Sequence, residues 1–233
     1  MERAIRAPKP SALINEVLTP AYVAGSLLQA NPFLSTPRGN GKRVLVWPGF
    51  GASNASTAVL RNYLKFFGYR ASGWDIGRND GDVLGMLEVL KEKVLLEAHN
   101  APVTLVGWSL GGYLAREVAR ECPDQVRHVV TMGSPVIGGP KYTSIAAAFD
   151  DAQNSLDEIE RLVDERYAEP LTVPVTALYS KSDGVVAWQA CIDERSPNVE
   201  HIEVFTSHAG FGFDARVFQL VAARIAQHNE AAC

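Results

Sequence analysis

The sequence has few cysteines and no dense run of basic residues. Its three cysteines, Cys122, Cys191 and Cys233, are scattered and include no C-x-x-C pair, which argues against a disulfide framework and against a zinc site. Lysine and arginine number 22 against 26 aspartate and glutamate residues, for a formal net charge of -4. A chain of this charge lacks the strongly basic surface that binds nucleic acids and anionic membranes. We therefore expect free thiols in a reducing compartment and no nucleic-acid partner.

Long apolar segments are also missing. No stretch approaches the length of a membrane span, and the first eighteen residues hold acidic residues and two prolines where a secretory signal needs an apolar core. We expect a cytoplasmic protein without a membrane span. With 233 residues, 47% of them hydrophobic, the chain is predicted to form a single domain over residues 1–233. The sequence leaves its oligomeric state open.

Short β-branched runs alternate with stretches of helical periodicity over residues 42–228. This alternation predicts an α/β fold: a mostly parallel sheet of about six strands with helices on both faces. One predicted helix lies within residues 79–100. The side chains expected to face inward from it are Val83, Leu84, Leu87, Leu90, Val94 and Leu95.

Two segments lie outside this alternation. Residues 1–41 form a predicted helical arm, broken near Pro20, which we expect to pack along a sheet edge. A surface for a membrane or a partner protein is the alternative. Residues 140–169 are helical and acidic, and they lie on the side where strands end, so they could form a small lid.

The most informative stretch is VTLVGWSLGGYLAREVAR, residues 103–120. A buried strand ends near Gly107 and a helix starts at once, which places Ser109 on a sharp strand-to-helix turn. Gly107 and Gly111 are needed because such a turn leaves no room for side chains. The helix directs free N–H groups at this point, and that of Leu110 could bind an oxyanion.

Other polar residues follow the remaining strands, where functional groups gather in parallel sheets. His208 is the one histidine predicted at a strand's carboxyl end, and a histidine has the pKa that suits the base for a serine nucleophile. A solvated loop histidine is the alternative. Asp183 could orient that imidazole, or it could simply hydrogen-bond the backbone of an Asp-Gly turn. Ser134, in a GSP turn, is expected to be structural or to line the substrate site.

The motifs PGFG, GWSLGG, YSKSD and SHAGFGF together resemble the serine α/β-hydrolase superfamily, in particular its small lipase- and esterase-like members. The GSP turn at 133–135 adds to the resemblance. Two features differ from the family pattern: many members have HG where this chain has Pro48-Gly49, and no antiparallel strands precede Val44. The resemblance therefore implies a shortened sheet with the helical arm in place of those strands.

The resemblance also implies roles for these residues. Ser109, His208 and Asp183 would form a catalytic triad, in the chain order Ser, Asp, His. The backbone N–H groups of Phe50 and Leu110 would form the oxyanion hole. The expected activity is hydrolysis of an apolar carboxylic ester through an acyl-enzyme, without a metal or other cofactor. A thioesterase or acyltransferase is the alternative, and a non-catalytic binding protein is a further one.

Aromatic residues near these positions could bind an apolar acyl group. Each of them could equally be an ordinary core residue. They are Trp108, Phe50, Trp188, Phe211 and Phe213.

Overall fold

The computed structural model of the chain describes residues 5–29, 36–149 and 155–230. Its centre is a six-stranded sheet. The strands are β1 (Arg43–Trp47), β2 (Arg70–Ser72), β3 (Val103–Trp108), β4 (Val126–Met132), β5 (Val175–Tyr179) and β6 (Val199–Glu203). They lie in the order β2-β1-β3-β4-β5-β6, and every neighbouring pair is parallel. The predicted fold class is confirmed.

Helices connect and cover the strands, together with several short 3-10 turns. The helices are α1 (Ile14–Val17), α2 (Thr19–Gln29), α3 (Ala58–Phe66), α4 (Val83–Glu97), α5 (Leu110–Glu121), α6 (Leu156–Tyr167) and α7 (Ala215–Glu230). Side chains cap three of them: Asp82 accepts from Gly85 N at the start of α4, Ser155 accepts from Glu158 N at the start of α6, and Asp214 accepts from Arg216 N at the start of α7.

The core has two layers because successive strand residues point to opposite faces of the sheet. Leu105 of β3 belongs to the layer that includes α4 and α5, whereas its neighbour Val106 belongs to the layer that includes α3 and α7. The prediction for α4 was wrong at two positions: Leu84 is 71% exposed and Leu95 is 50% exposed. The helical periodicity of leucines overstated the width of the buried face.

The N-terminal arm lies over the ends of the last strands. It breaks at Leu18, with Pro20 in the first turn of α2, as predicted. The arm contacts α7 and the turn Ala209–Gly212 that follows β6, and the ring of Tyr22 packs 5.3 Å from that of Phe205. These contacts join the arm to loops at the carboxyl ends of strands, whereas we expected it to run along a sheet edge.

The acidic segment 140–169 is attached to α5, the helix that follows the sharp turn at Ser109, which we call the elbow. Arg166 of α6 forms ion pairs with Glu117 and Glu121 of α5. The segment also reaches the loop after β1, where the ring of Phe149 lies 4.3 Å from that of Phe50. Residues 150–154 fall outside the described part of the chain. That this segment moves as a lid stays a prediction.

A buried ion pair joins α5 to the loop before β6. Arg116 and Asp193 form this pair with side chains that are 3% and 1% exposed. Burial opposes ionisation of Asp193, but Arg116 and Ser196 outweigh it and lower the pKa of Asp193 to about 2. Because the folded pKa lies below the ordinary value, this stabilisation is present at neutral pH and is lost as the pH falls towards 2.

We expect the substitution Asp193→Ala to lower the free energy of unfolding by about 3 to 5 kcal/mol, because it leaves the Arg116 guanidinium buried and unpaired. Urea denaturation at pH 7 measures this change. The matched control is Glu203→Ala, which breaks an exposed pair with Lys181 and should cost about 1 kcal/mol or less. Equal losses for the two variants would contradict the interpretation.

Two of the cysteines, Cys122 and Cys191, are buried free thiols, and Cys233 lies outside the described residues. Within the described ranges, no helix has both the length and the apolar character needed to cross a bilayer.

Candidate active site

Ser109 is held in a strained backbone conformation between β3 and α5. Its φ is 55° and its ψ is -126°, a region that residues other than glycine rarely adopt. A Cβ at Gly107 would overlap the carbonyl of Gly111, and one at Gly111 would overlap the carbonyl of Pro48. The backbone therefore packs too closely for a side chain at either position, which explains the predicted need for glycine. The N–H of Ser109 donates to Met132 O at 2.8 Å, which fixes the turn to β4.

Asp183 and His208 meet at the carboxyl ends of the strands, the end of the sheet at which Ser109 also lies. His208 Nδ1 lies 2.7 Å from Asp183 Oδ2, and both residues are buried. The other carboxylate oxygen, Oδ1, accepts from Val185 N at 2.8 Å and from Val186 N at 2.7 Å. Asp183 thus makes both kinds of contact considered in the sequence analysis: one oxygen accepts the local turn bonds, and the other faces the imidazole. An imidazole that donates from Nδ1 has Nε2 free to accept a proton.

The surroundings of His208 favour its protonated form. Burial acts to lower the pKa of His208, but the charge and hydrogen bond of Asp183, together with the charge of Glu16, outweigh it. The net effect raises the pKa of His208 above its usual 6.5. A base with a raised pKa holds an abstracted proton more strongly.

Close packing brings the elbow and the Asp183–His208 pair together. The ring of Trp108 lies 5.9 Å from that of His208, and Gly133, after β4, packs against the pair. A Cβ at Gly133 would lie 3.0 Å from Asp183 Oδ2 and 3.2 Å from His208 Nδ1. Within the described residues, no hydrogen bond joins the Ser109 hydroxyl to the imidazole. Such bonds are often long in a free enzyme and shorten when substrate binds.

The loop after β1 lies against Ser109. A Cβ at Gly49 would be 3.0 Å from Ser109 Cβ, so the loop backbone approaches the serine closely. In the part of the chain that the structure describes, the N–H groups of Phe50 and Leu110 have no intramolecular acceptor. Both donors remain available, which is what the predicted oxyanion hole requires.

Asn79 braces this loop, and the sequence analysis missed it. Its side-chain amide donates to Pro48 O at 3.0 Å. Its main-chain carbonyl accepts from Gly51 N at 2.6 Å, and its main-chain N–H donates to Ala52 O at 2.8 Å. The residue is fully buried. Its position after the short strand β2 was the available signal, because strand ends on this side gather at the site.

The other predicted site residues have different surroundings. Ser134 is buried behind the elbow, where a Cβ on Gly112 would overlap its hydroxyl. Phe211 is buried with its ring 6.4 Å from His208, while Phe213 is 42% exposed. Trp188 stacks on Tyr179 at 5.7 Å, and Lys181 lies 5.4 Å above its ring. Trp108 and Phe211 therefore lie beside the imidazole, whereas Trp188 packs against Tyr179 and Lys181.

No group of three or more histidine, cysteine, aspartate or glutamate side chains suited to a metal ion occurs among the described residues. Ser109, Asp183 and His208 lie among the polar residues at the carboxyl ends of the strands.

The chain belongs to the alpha/beta hydrolase fold family, whose sequence profile matches residues 17–157. A comparison with curated protein sequences finds no match.

Solved structures share the fold at low identity. A monoacylglycerol lipase from Paleococcus ferrophilus has a TM-score of 0.61 at 14% identity, covering 83% of this chain and 96% of that one. A structure from the metagenome-derived lipolytic enzymes LipS and LipT has a TM-score of 0.61 at 15% identity, with the same coverage of 83% and 96%. The thioesterase domain from the curacin biosynthetic pathway has a TM-score of 0.56 at 15% identity, covering 82% and 93%. Likeness at this identity establishes the fold alone.

Proposed function

We propose that this protein is a serine hydrolase that cleaves carboxylic esters with apolar acyl groups through an acyl-enzyme at Ser109. The observation that carries the proposal is the buried 2.7 Å bond between His208 Nδ1 and Asp183 Oδ2, at the sheet edge where the strained elbow holds Ser109. Strain of this kind, at a residue that begins a helix, is typical of a nucleophile.

The proposed reaction begins when Ser109 Oγ attacks the ester carbonyl carbon while His208 Nε2 takes the hydroxyl proton. The resulting oxyanion accepts hydrogen bonds from the N–H groups of Phe50 and Leu110. Asp183 stays ionised and stabilises the imidazolium. His208 then protonates the leaving alkoxide, and the alcohol departs. Water attacks the acyl-enzyme, again giving its proton to His208, and the acid leaves as the proton returns to Ser109.

Apolar residues near the site support an apolar acyl group as substrate. Trp108 and Phe211 lie beside the imidazole, and Phe50 with Phe149 forms an aromatic pair on the oxyanion side. The lipolytic activity named for two structural neighbours agrees with this choice. We place the reaction in the cytoplasm, since Cys122 and Cys191 are unpaired.

A fluorophosphonate probe tests the proposed nucleophile directly. We expect one adduct on the intact protein, located on the peptide that contains Ser109 by mass spectrometry. Turnover of p-nitrophenyl esters from acetate to decanoate then gives the preferred acyl length. Absence of both labelling and turnover would favour the non-catalytic binding protein instead.

A thioesterase is the second candidate, because the same groups would cleave a thioester and one structural neighbour is a thioesterase domain. A thiolate leaves without needing a proton, whereas an alkoxide does need one. Comparing kcat/KM for oxygen esters and thioesters of the same acyl chain separates the two candidates. A much larger value for the thioester would assign the enzyme to thioester cleavage, and product formed with added alcohols would indicate acyl transfer.

We expect the substitution Asn79→Ala to lower kcat by about 10- to 100-fold with a smaller change in KM, because the loop that carries the Phe50 N–H loses its side-chain brace at Pro48. Steady-state kinetics on the best ester measures this. Asn198→Ala is the matched control, since its amide makes only a 3.4 Å contact to Thr172 O on an exposed loop. Unchanged kcat in the Asn79 variant would contradict the positioning role.

A further inference from the structure

The N-terminal arm places one carboxylate between the loops that carry Asp183 and His208. Glu16 Oε1 accepts from Gly184 N and from His208 N, both at 2.9 Å, and Oε2 accepts from Ala209 N at 2.8 Å. One of these donors directly follows Asp183, and the other two belong to His208 and to the residue after it. A single side chain thus holds the backbone on both sides of the Asp183–His208 bond.

The rest of the arm fits this contact closely. The hydroxyl of Thr19 donates to Glu16 O at 2.7 Å and also hydrogen-bonds the hydroxyl of Ser207. At Gly184, a Cβ would overlap the carbonyl of Ala12, so only glycine lets the arm approach. Glu16 is therefore fixed by neighbours on both sides, as a residue that sets the position of others must be.

Glu16 precedes the stretch that matches the family profile, which begins at residue 17. Its contacts span most of the chain, so no local sequence pattern assigns it a role. If the arm were only docked on the fold, hydrogen bonds to any neighbouring groups would serve. The observed set instead goes to the two loops whose relative placement determines the Asp183–His208 geometry.

We propose that Glu16 is a positioning residue of the active site: its carboxylate fixes the loops of Asp183 and His208 against each other, and its charge supports that of Asp183 beside the imidazole. The kinetic test of this inference rests on the proposed function, whereas its second test, an NMR titration of His208, does not. Asp183 and Glu16 are the anionic groups that raise the pKa of His208. Removing either should weaken the protonated form of the imidazole.

The experiment compares Glu16→Gln and Glu16→Ala with the control Glu92→Gln, whose carboxylate is exposed on α4. We expect kcat of Glu16→Ala to fall by about 10- to 100-fold with a smaller change in KM. Glu16→Gln should lose less, because its amide oxygen can still accept from Gly184 and His208. In both variants the rise of kcat/KM with pH should move to lower pH, and Glu92→Gln should match the wild type.

Titration of the His208 ring protons by NMR supplies a readout that needs no turnover. We expect the titration midpoint to fall in both Glu16 variants and to stay constant in the control. If the wild type shows neither labelling nor hydrolysis, the proposed function fails, while a shifted midpoint would still support the role of Glu16.

An unchanged His208 midpoint in folded Glu16→Gln and Glu16→Ala would overturn the proposal. So would a loss of activity that follows a lower melting temperature with the pH profile intact, because that result describes a contact that only stabilises the fold. Glu16→Gln is the variant expected to fold if Glu16→Ala does not.

Discussion

Ser109→Ala is expected to lower kcat/KM for p-nitrophenyl esters by about four to six orders of magnitude and to abolish labelling by a fluorophosphonate. The alanine side chain cannot form the acyl-enzyme, while the proposed oxyanion donors at Phe50 and Leu110 should still bind the carbonyl. KM should therefore change much less than kcat. Ser72→Ala, on the edge strand β2, serves as the serine control and should keep wild-type rates. Turnover by Ser109→Ala close to that of the wild type would refute the nucleophile.

The same position allows a stability measurement that does not depend on the substrate. Ser109 adopts φ 55° and ψ -126°, which glycine tolerates and alanine does not. Ser109→Gly should raise the free energy of unfolding by about 1 kcal/mol while removing activity, and Ser109→Ala should leave the strain in place. Urea denaturation of the wild type and the two variants measures these free energies of unfolding. A glycine variant less stable than the wild type would argue against strain at the elbow.

Asp183→Asn should lower kcat by about 10³- to 10⁴-fold. The amide oxygen of asparagine can still accept from Val185 and Val186, so the loop should keep its fold. The side-chain NH₂ would then face His208 Nδ1, which favours the tautomer with its proton on Nε2 and leaves that nitrogen unable to accept from Ser109. Loss of the charge should also lower the pKa of His208, and the rise of the residual rate with pH should move to lower pH.

Asp214→Asn is the control for this prediction. Asp214 is as buried as Asp183, but it pairs with Arg216 at the start of α7. Its substitution should affect stability more than kcat. Similar losses of kcat in both variants would mean that the Asp183 result reflects general damage to the loops.

Much of the fold was predictable because the physical signals are local. A buried parallel strand is a short β-branched run, and the helix after it has its own period, so the six strands follow from the sequence. The elbow was predictable for the same reason, since its glycines and serine are consecutive. Asp183 and His208 could be paired in advance because strand ends in a parallel sheet converge on one edge.

The remaining features depend on contacts between distant residues. Leu84 and Leu95 fit a helical period, yet they are exposed because the buried surface of α4 is narrower than its apolar face. Trp188 follows a strand, as Asp183 and His208 do, and the stacking of its ring on Tyr179 could not be predicted from its position in the sequence. The contacts of Glu16 could not be predicted from the sequence, because its partners lie far along the chain and an acidic residue in a short helix normally needs none.

The bonds of Glu16 also bear on biosynthesis. They connect residues separated by 168, 192 and 193 positions, so both of these distant segments must be synthesised before the bonds can form. During translation, the elbow and the first four strands can form while the arm still awaits its acceptor loops. Under the proposed function, a polypeptide that stops before residue 208 would contain the serine turn without its base, and could not hydrolyse an ester.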